Sequence, residues 1–431
     1  MLPYLRILVT SSALACTACA LLMAQQPRAA STIVLTGANI VFNGDDGVTG
    51  PATIVIEGGR VTAIGAPDRV PVPTAARVVD LGGHFVIPGL VSAHAHVSDV
   101  DALRPRAYTI ANTLRQLGVF ARYGITTVWS LGGEQRPAFE ARDAQAVASL
   151  DRARIYLAGE IVTGSTPDEA RAAVARVAAT RPDVIKIRVD DNLGTTAKMA
   201  PGVYRAVIDE AHRRGLRVAV HIFYLDDAKD VLRAGADVIA HSVRDREVDD
   251  EFLSLMRERG AAYVPTLTRE VSTFVFETTP AFFDDPFFTK EADRDLVVQL
   301  REPARQAAMR ASGSAQRYKA GLDVALRNLK RVADAGLLVA MGTDSGAFPE
   351  RFEGYFEHVE LEMMVAAGLT PTQVLRAATS GAARAMRLDD VGTLRPGAWA
   401  DLLVLTGNPL ADIRHTRSIA DVRIAGNVVP R

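Results

Sequence analysis

Cysteine is nearly absent from this chain. Only Cys16 and Cys19 occur among 431 residues, and both lie in the first twenty. Once the leader-like stretch around them is removed, the rest has no disulfide, thiol nucleophile or thiolate metal site to offer. Export into an oxidising compartment then has no redox cost. An excess of either charge is lacking too: 49 Lys and Arg stand against 50 Asp and Glu, a formal net charge of −1. This balance excludes a basic field for nucleic acid, and no block of like charge marks a disordered tail. The Gly-rich phosphate loop of a dinucleotide-binding sheet is also missing. Histidine is scarce, at 8 residues, so its placement is informative.

Among the features present, the N-terminus comes first. Arg6 precedes an apolar run from Ile7 to Met23, and polar residues follow. Residues 1–30 read as a secretory leader, with Ala18-Cys19-Ala20 offering a cleavage site. An N-terminal anchor fits the same run. Ala13-Leu14-Ala15 before Cys16 loosely matches a lipoprotein box. The expected location is periplasmic or secreted, with no membrane span in the mature chain.

Residues 31–88 read as short Val/Ile-rich strands with Gly-Gly and Asn/Asp turns, and residues 389–431 look alike. The two ends together predict one small β-sandwich. Residues 89–388 alternate instead. Eight apolar runs ("VIPGLVSAHAH", "ITTVWSLG", "RIYLAG", "VIKIRV", "RVAVHI", "VIAHSV", "AYVPTL", "LLVAMGTD") are mostly separated by helical patterns. Thr166-Pro167-Asp168-Glu169 and Thr370-Pro371-Thr372-Gln373 both read as capping boxes with Pro at the first helical position. The expected fold is α/β, a (β/α)₈ TIM barrel, with a doubly wound open sheet as the alternative. Residues 269–335 form an insertion dense in Phe and acids. It suits either the active-site face or an external helical hairpin.

Rare polar residues fall late in those runs. His94 and His96 end the first, Lys186 sits in the fourth, His221 ends the fifth, His241 lies late in the sixth, and Asp344 ends the eighth. Catalytic groups of barrels gather at the carboxyl ends of the strands. Side chains i and i+2 of a strand share a face, so His94 and His96 can meet one ion. Imidazole and carboxylate suit Zn, Fe or Ni. Singly, each residue has an ordinary reading: a hydrogen-bonded core His, a snorkelling Lys, a capping Asp. As a set they do not, because apolar strands should not repeatedly bury charge without compensation.

The motifs "GLVSAHAH", "GITTV", "DVIKI", "VAVHI", "VIAHS", "GTDSG" and "GTLRPGAWADLLVLTGNPLADI" resemble the amidohydrolase superfamily, in its imidazolonepropionase and metal-dependent dipeptidase-like branch. The resemblance spans nearly the whole chain after the leader. It implies two divalent ions, zinc foremost, bridged by a carboxylated Lys186. It also implies that His94, His96 and Asp344 hold one ion, and His221 and His241 the other. The implied chemistry is amide hydrolysis by a hydroxide bridging the metals, with Asp344 as general base and then acid. Dipeptides or N-acyl amino acids are the implied small-molecule substrates. Ester or lactone hydrolysis and deamination are alternatives on the same site. A non-catalytic exported binding protein is the alternative from another class. A homo-oligomer is compatible with any of these.

Substrate contacts are less visible. Tyr224 lies three residues after His221, Arg188 two after Lys186, and His358 in a helical stretch near the eighth run. All three are candidate substrate-binding residues. Trp129 and Trp399 read as packing residues.

Overall fold

The computed structural model describes residues 32–43 and 50–430. The expected leader, residues 1–30, lies outside them. Among the described residues no helix is long and apolar enough to cross a membrane.

The N-terminal strands are β1 (Ile33–Ile40), β2 (Pro51–Glu57), β3 (Arg60–Gly65), β4 (Arg77–Asp80) and β5 (Phe85–Pro88). Next come β6 (Leu90–Ala95), β7 (Ile125–Ser130), β8 (Arg154–Leu157), β9 (Ile185–Val189), β10 (Val218–Ile222), β11 (Val238–Ala240) and β12 (Ala262–Val264). The last three are β13 (Leu402–Leu405), β14 (Ile419–Ile424) and β15 (Asn427–Val428).

β6 to β12 and residues 338–345 close a ring in chain order. β6, β7 and β8 pair in parallel, as do β9 to β12. Asp183 N donates to Leu157 O and Val162 N to Lys186 O, joining β8 to β9. The eighth run supplies the final joint: Ala340 N donates to Tyr263 O beside β12, and Ala93 N to Met341 O beside β6. The eight apolar runs are therefore the eight staves of a parallel barrel. Each stave contributes to one inner cluster that includes Ala93, Trp129, Ala158, Val184, Ala219 and Val238. Small residues dominate there because eight strands leave little internal room.

Both ends of the chain build the second unit. Its strand order is β15-β14-β13-β5-β1-β2-β3. β1 also pairs with β4 through its first half and with β5 through its second, so the sheet divides at β1, as a small β-sandwich requires. A buried ion pair ties this unit to the barrel. Arg154 Nε lies 2.8 Å from Asp401 Oδ2, both side chains are buried, and Ala425 N donates to Asp401 Oδ1 at 2.7 Å. Trp399 packs between Arg60 and Arg154, at 4.0 and 3.8 Å from its ring centroid.

Helix starts follow the sequence cues with one difference. Thr370 and Gln373 form a reciprocal capping box. Thr166 caps the helix Pro167–Ala179 through Glu169 N, but Glu169 Oε2 reaches back to Ser165 N at 2.8 Å instead of Thr166.

The insertion divides its labour. Phe276, Phe283 and Phe288 pack with Phe352, Tyr355 and Phe356 into a separate aromatic core. Arg269, Thr273 and Tyr318 line the cavity at the barrel mouth.

Candidate metal centre

A cavity of about 1080 Å³ opens over the carboxyl ends of the strands. His94, His96, Lys186, His221, His241 and Asp344 all line it, so the structure brings the six expected ligand residues together. His94 Nε2 and His96 Nε2 lie 3.2 and 2.8 Å from Asp344 Oδ1. The ring centroids of His94 and His241 are 4.6 Å apart, and those of His221 and His241 4.1 Å. The tightest ligand triple is His94, His241 and Asp344. It cuts across the division into two ligand sets that the resemblance implies.

Local backbone explains the convergence. Pairing of β6 with β7 shifts register between Ser92 and Ala95, so alternation alone does not deliver His94 and His96. His241 and Asp344 adopt left-handed backbone, with φ of 74° and 62°. Such strain in non-glycine residues persists where surrounding structure over-determines it. Gly346 (φ 78°) is obligatory, because a Cβ there would sit 2.0 Å from His96 O.

The ligand rings are oriented from behind. His96 Nδ1 faces Gly132 O at 3.1 Å, His241 Nδ1 faces Thr266 Oγ1 at 2.7 Å, and His221 Nε2 faces Asp190 Oδ2 at 2.8 Å. In the His221 and His241 rings the opposite nitrogen is left for a ligand, and in His96 it meets Asp344 Oδ1, an arrangement usual behind metal-binding histidines. Glu134 braces the first of these. It accepts from Ser130 Oγ, Gly132 N and Gly159 N at 2.6–2.7 Å. Two acids on the helix Tyr355–Ala366 brace Asp344 and the partner of His241. Glu357 accepts from Thr343 Oγ1 and Ser345 Oγ on either side of Asp344, both at 2.7 Å. Glu360 accepts from Leu267 N, Thr268 N and Thr268 Oγ1 at 2.7–2.8 Å, fixing the turn that carries Thr266.

Electrostatics mark the same spot. Burial holds the His94 imidazole down to about 3, and nearby Lys186 adds to this. His221 and His241 are lowered by burial as well. Burial also brings the Lys186 ammonium down to about 8. Asp344 is pushed up by burial, but Arg351 and the His94 and His96 contacts outweigh this and hold it well below the carboxylate range. Arg351 donates to Asp344 Oδ2, so Oδ1 is the oxygen turned to the histidines.

The donor set fits metal ions. His94 Nδ1 and Lys186 Nζ are buried without a hydrogen-bond partner, His94 Nε2 has only its contact with Asp344 Oδ1, and Lys186 is only 2% exposed. Buried polar atoms ordinarily find partners. Neutral imidazoles beside an ionised carboxylate are what a divalent cation needs.

The substrate candidates fare differently. Arg188 lines the cavity on the face of Lys186, half-exposed, 3.8 Å from Asp190. Tyr224 donates to Asp191 Oδ1 at 2.9 Å and lies under Lys198, behind the lining. His358 does not reach the cavity. Its helix turns it the other way, with Nε2 on Tyr123 O at 2.7 Å and Nδ1 on Thr416 Oγ1 at 3.0 Å, fully buried. Asp190, Arg351 and Glu134 are site residues that sequence reasoning missed. Asp190, four positions after Lys186 at a strand end, was the one with a signal.

Comparison with known proteins agrees with this geometry. A model of the amidohydrolase family matches residues 85–429. The chain is 28% identical to an imidazolonepropionase of Deinococcus radiodurans, over 89% of this chain and 93% of that protein. A candidate prolidase from Bifidobacterium longum superposes with a TM-score of 0.74 at 27% identity, covering 93% of this chain and 95% of that one. A Xaa-Pro dipeptidase with bound methionine shares the fold at TM-score 0.74 and 22% identity, over 92% and 99% of the two chains. With a family match over most of its length and a metal-ready donor set at the barrel mouth, the chain belongs to the amidohydrolase family and is a metal-dependent hydrolase of C–N bonds.

Proposed function

We propose that the protein hydrolyses the amide bond of dipeptides or N-acyl amino acids. Two divalent ions, zinc foremost, would be held by His94, His96, Lys186, His221, His241 and Asp344. The observation that carries this is the convergence of buried donors: Lys186 Nζ and His94 Nδ1 have no hydrogen-bond partner, and His94 Nε2 has only its 3.2 Å contact with Asp344 Oδ1, among three further histidines. Relatives named imidazolonepropionase and a neighbour named as a candidate prolidase support a C–N bond as the target.

Lys186 is the bridging ligand in this proposal. Its buried amine is easily deprotonated. The free amine adds to CO₂ and releases a proton, leaving an anionic carbamate with two ligand oxygens. When bound, the ions supply Lewis acidity toward water and the scissile carbonyl. Asp344 takes the proton of the attacking water and passes it to the leaving nitrogen. Arg351 fixes the orientation of that carboxylate from Oδ2. The leader reading of residues 1–30 adds an exported location to the proposal.

Metal analysis of zinc-grown protein should find about two ions per chain, and chelation should abolish turnover of a dipeptide and N-acyl amino acid library. Lys186→Ala should lose one ion, with short carboxylic acids partly restoring it. Protein free of metal after such growth would point to a binding protein. Turnover of lactones alone would replace the amide reading with a lactonase.

A further inference from the structure

The wall of the cavity facing the insertion carries buried guanidinium groups. Arg269 is 7% exposed, lines the cavity, and stacks its guanidinium 4.3 Å over the ring of Tyr318. Its Nη1 is spent on Glu270, at 3.1 and 3.2 Å, while its Nε is buried with no partner. Glu270 is already shared: Arg244 Nε lies 3.0 Å from the same Oε1, and Arg244 is itself fully buried. Arg351, a third buried guanidinium, is linked to Arg269 through Ser272, whose Oγ accepts from Arg351 Nε and donates to Arg269 O. Three buried arginines thus share Glu270, Asp344 and, near Arg244, Asp190, and both aspartates also face histidines of the site. Burial opposes the charge of Arg269, but Glu270 and Tyr318 outweigh it, so a fixed, charged guanidinium is held at the cavity wall, placed for an anion from outside.

Other cations of the cavity are differently placed. Arg106 pairs with Asp99, and Lys198 with Asp227. Arg188 is half in water, where an ion pair contributes little. A guanidinium held flat against an aromatic ring and shielded from solvent binds a planar carboxylate far better.

We propose that Arg269, backed by Tyr318 and flanked by Arg351, is the subsite for the free carboxylate of the substrate. The insertion thereby makes the enzyme selective for acids over the matching amides. This rests on the amide-hydrolase reading above and assigns that reading its specificity residue.

The test uses the metal-loaded enzyme with glycyl-proline and N-acetylproline, each against its C-terminal amide. Binding of N-acetylproline and its amide is measured in parallel by calorimetry. A charge-assisted hydrogen bond is worth about 1.5–3 kcal/mol, so the acid should be preferred by roughly 10- to 100-fold. In Arg269→Gln this preference should fall to about 3-fold or less, chiefly through KM. Arg269→Lys keeps the charge without the planar fork and should restore part of it. Thermal melting checks that both variants fold, and the lysine variant alone suffices if the glutamine one does not. A wild-type preference retained in Arg269→Gln or undiminished in Arg269→Lys, or the same loss in Arg188→Gln and not in Arg269→Gln, would overturn the proposal. If no member of either pair is hydrolysed, the dipeptide and N-acyl reading fails for these substrates, while the calorimetric ratio still decides the subsite.

Discussion

His94 and His358 are both buried histidines held down to about 3, and burial is the leading cause for each. His94 has no partner but Asp344 Oδ1, itself a candidate ligand, and its Nδ1 has none; His358 is satisfied by Tyr123 O and Thr416. That contrast separates a ligand from a core residue better than the pKa does. The linkage sign follows directly. Folded His358 stays neutral where the unfolded imidazole, near 6.5, takes a proton. Its contribution to stability is present above pH 6.5 and lost as pH falls toward 3. In chelated protein the unfolding free energy should therefore drop between pH 7 and pH 5. His358→Gln should shrink that drop by about 2 kcal/mol, read from urea titrations at the two pH values. An equal drop in the variant would contradict a neutral buried His358. The six candidate ligand residues were legible because charge inside apolar strands is anomalous. Asp190 carried a faint signal in its place after Lys186; Glu134 and Arg351 carried none, because acids and arginines after strand ends are ordinary, and nothing in their spacing shows that they face inward. His358 was misplaced because its helix buries several faces at once, with Glu357, His358 and Glu360 all buried.

At the scale of elements, the helix Tyr355–Ala366 does more than cover the barrel. Glu357 grips both neighbours of Asp344, and Glu360 grips the turn behind His241. One rigid element therefore sets two ligands held in left-handed backbone. Glu360→Gln keeps the volume but turns an amide N–H toward a backbone or hydroxyl donor. It should cost about 1–3 kcal/mol and lower metal affinity, measured by melting and by metal titration of the apoprotein. Unaltered metal affinity would confine Glu360 to folding. The eight runs announced the barrel, since parallel strands buried on both faces read as continuous apolar stretches. The split role of the insertion could not be read, because a phenylalanine-rich segment looks the same whether it packs on itself or over a substrate.

At the scale of the molecule, the barrel and the terminal sheet are locked by Arg154 and Asp401, each with a side chain 1% exposed. Asp401→Asn would leave a buried guanidinium uncompensated against Trp399 and should destabilise the whole protein by about 3–5 kcal/mol. The double replacement Arg154→Met with Asp401→Asn should recover part of that loss, and a cycle of unfolding measurements decides between coupled and independent roles. The sandwich from both ends was legible as strand-rich composition, but the lock was not, because its partners are 247 residues apart.

The same closure has a temporal side. β5 pairs on one side with β1 and on the other with β13, and β13 leads out to β14 and β15. As the chain emerges from the ribosome, β1 to β5 can pair among themselves, but one edge of β5 stays unpaired for some three hundred residues. That bare edge is sticky until β13 arrives, so a strand made early is among the last to be sealed.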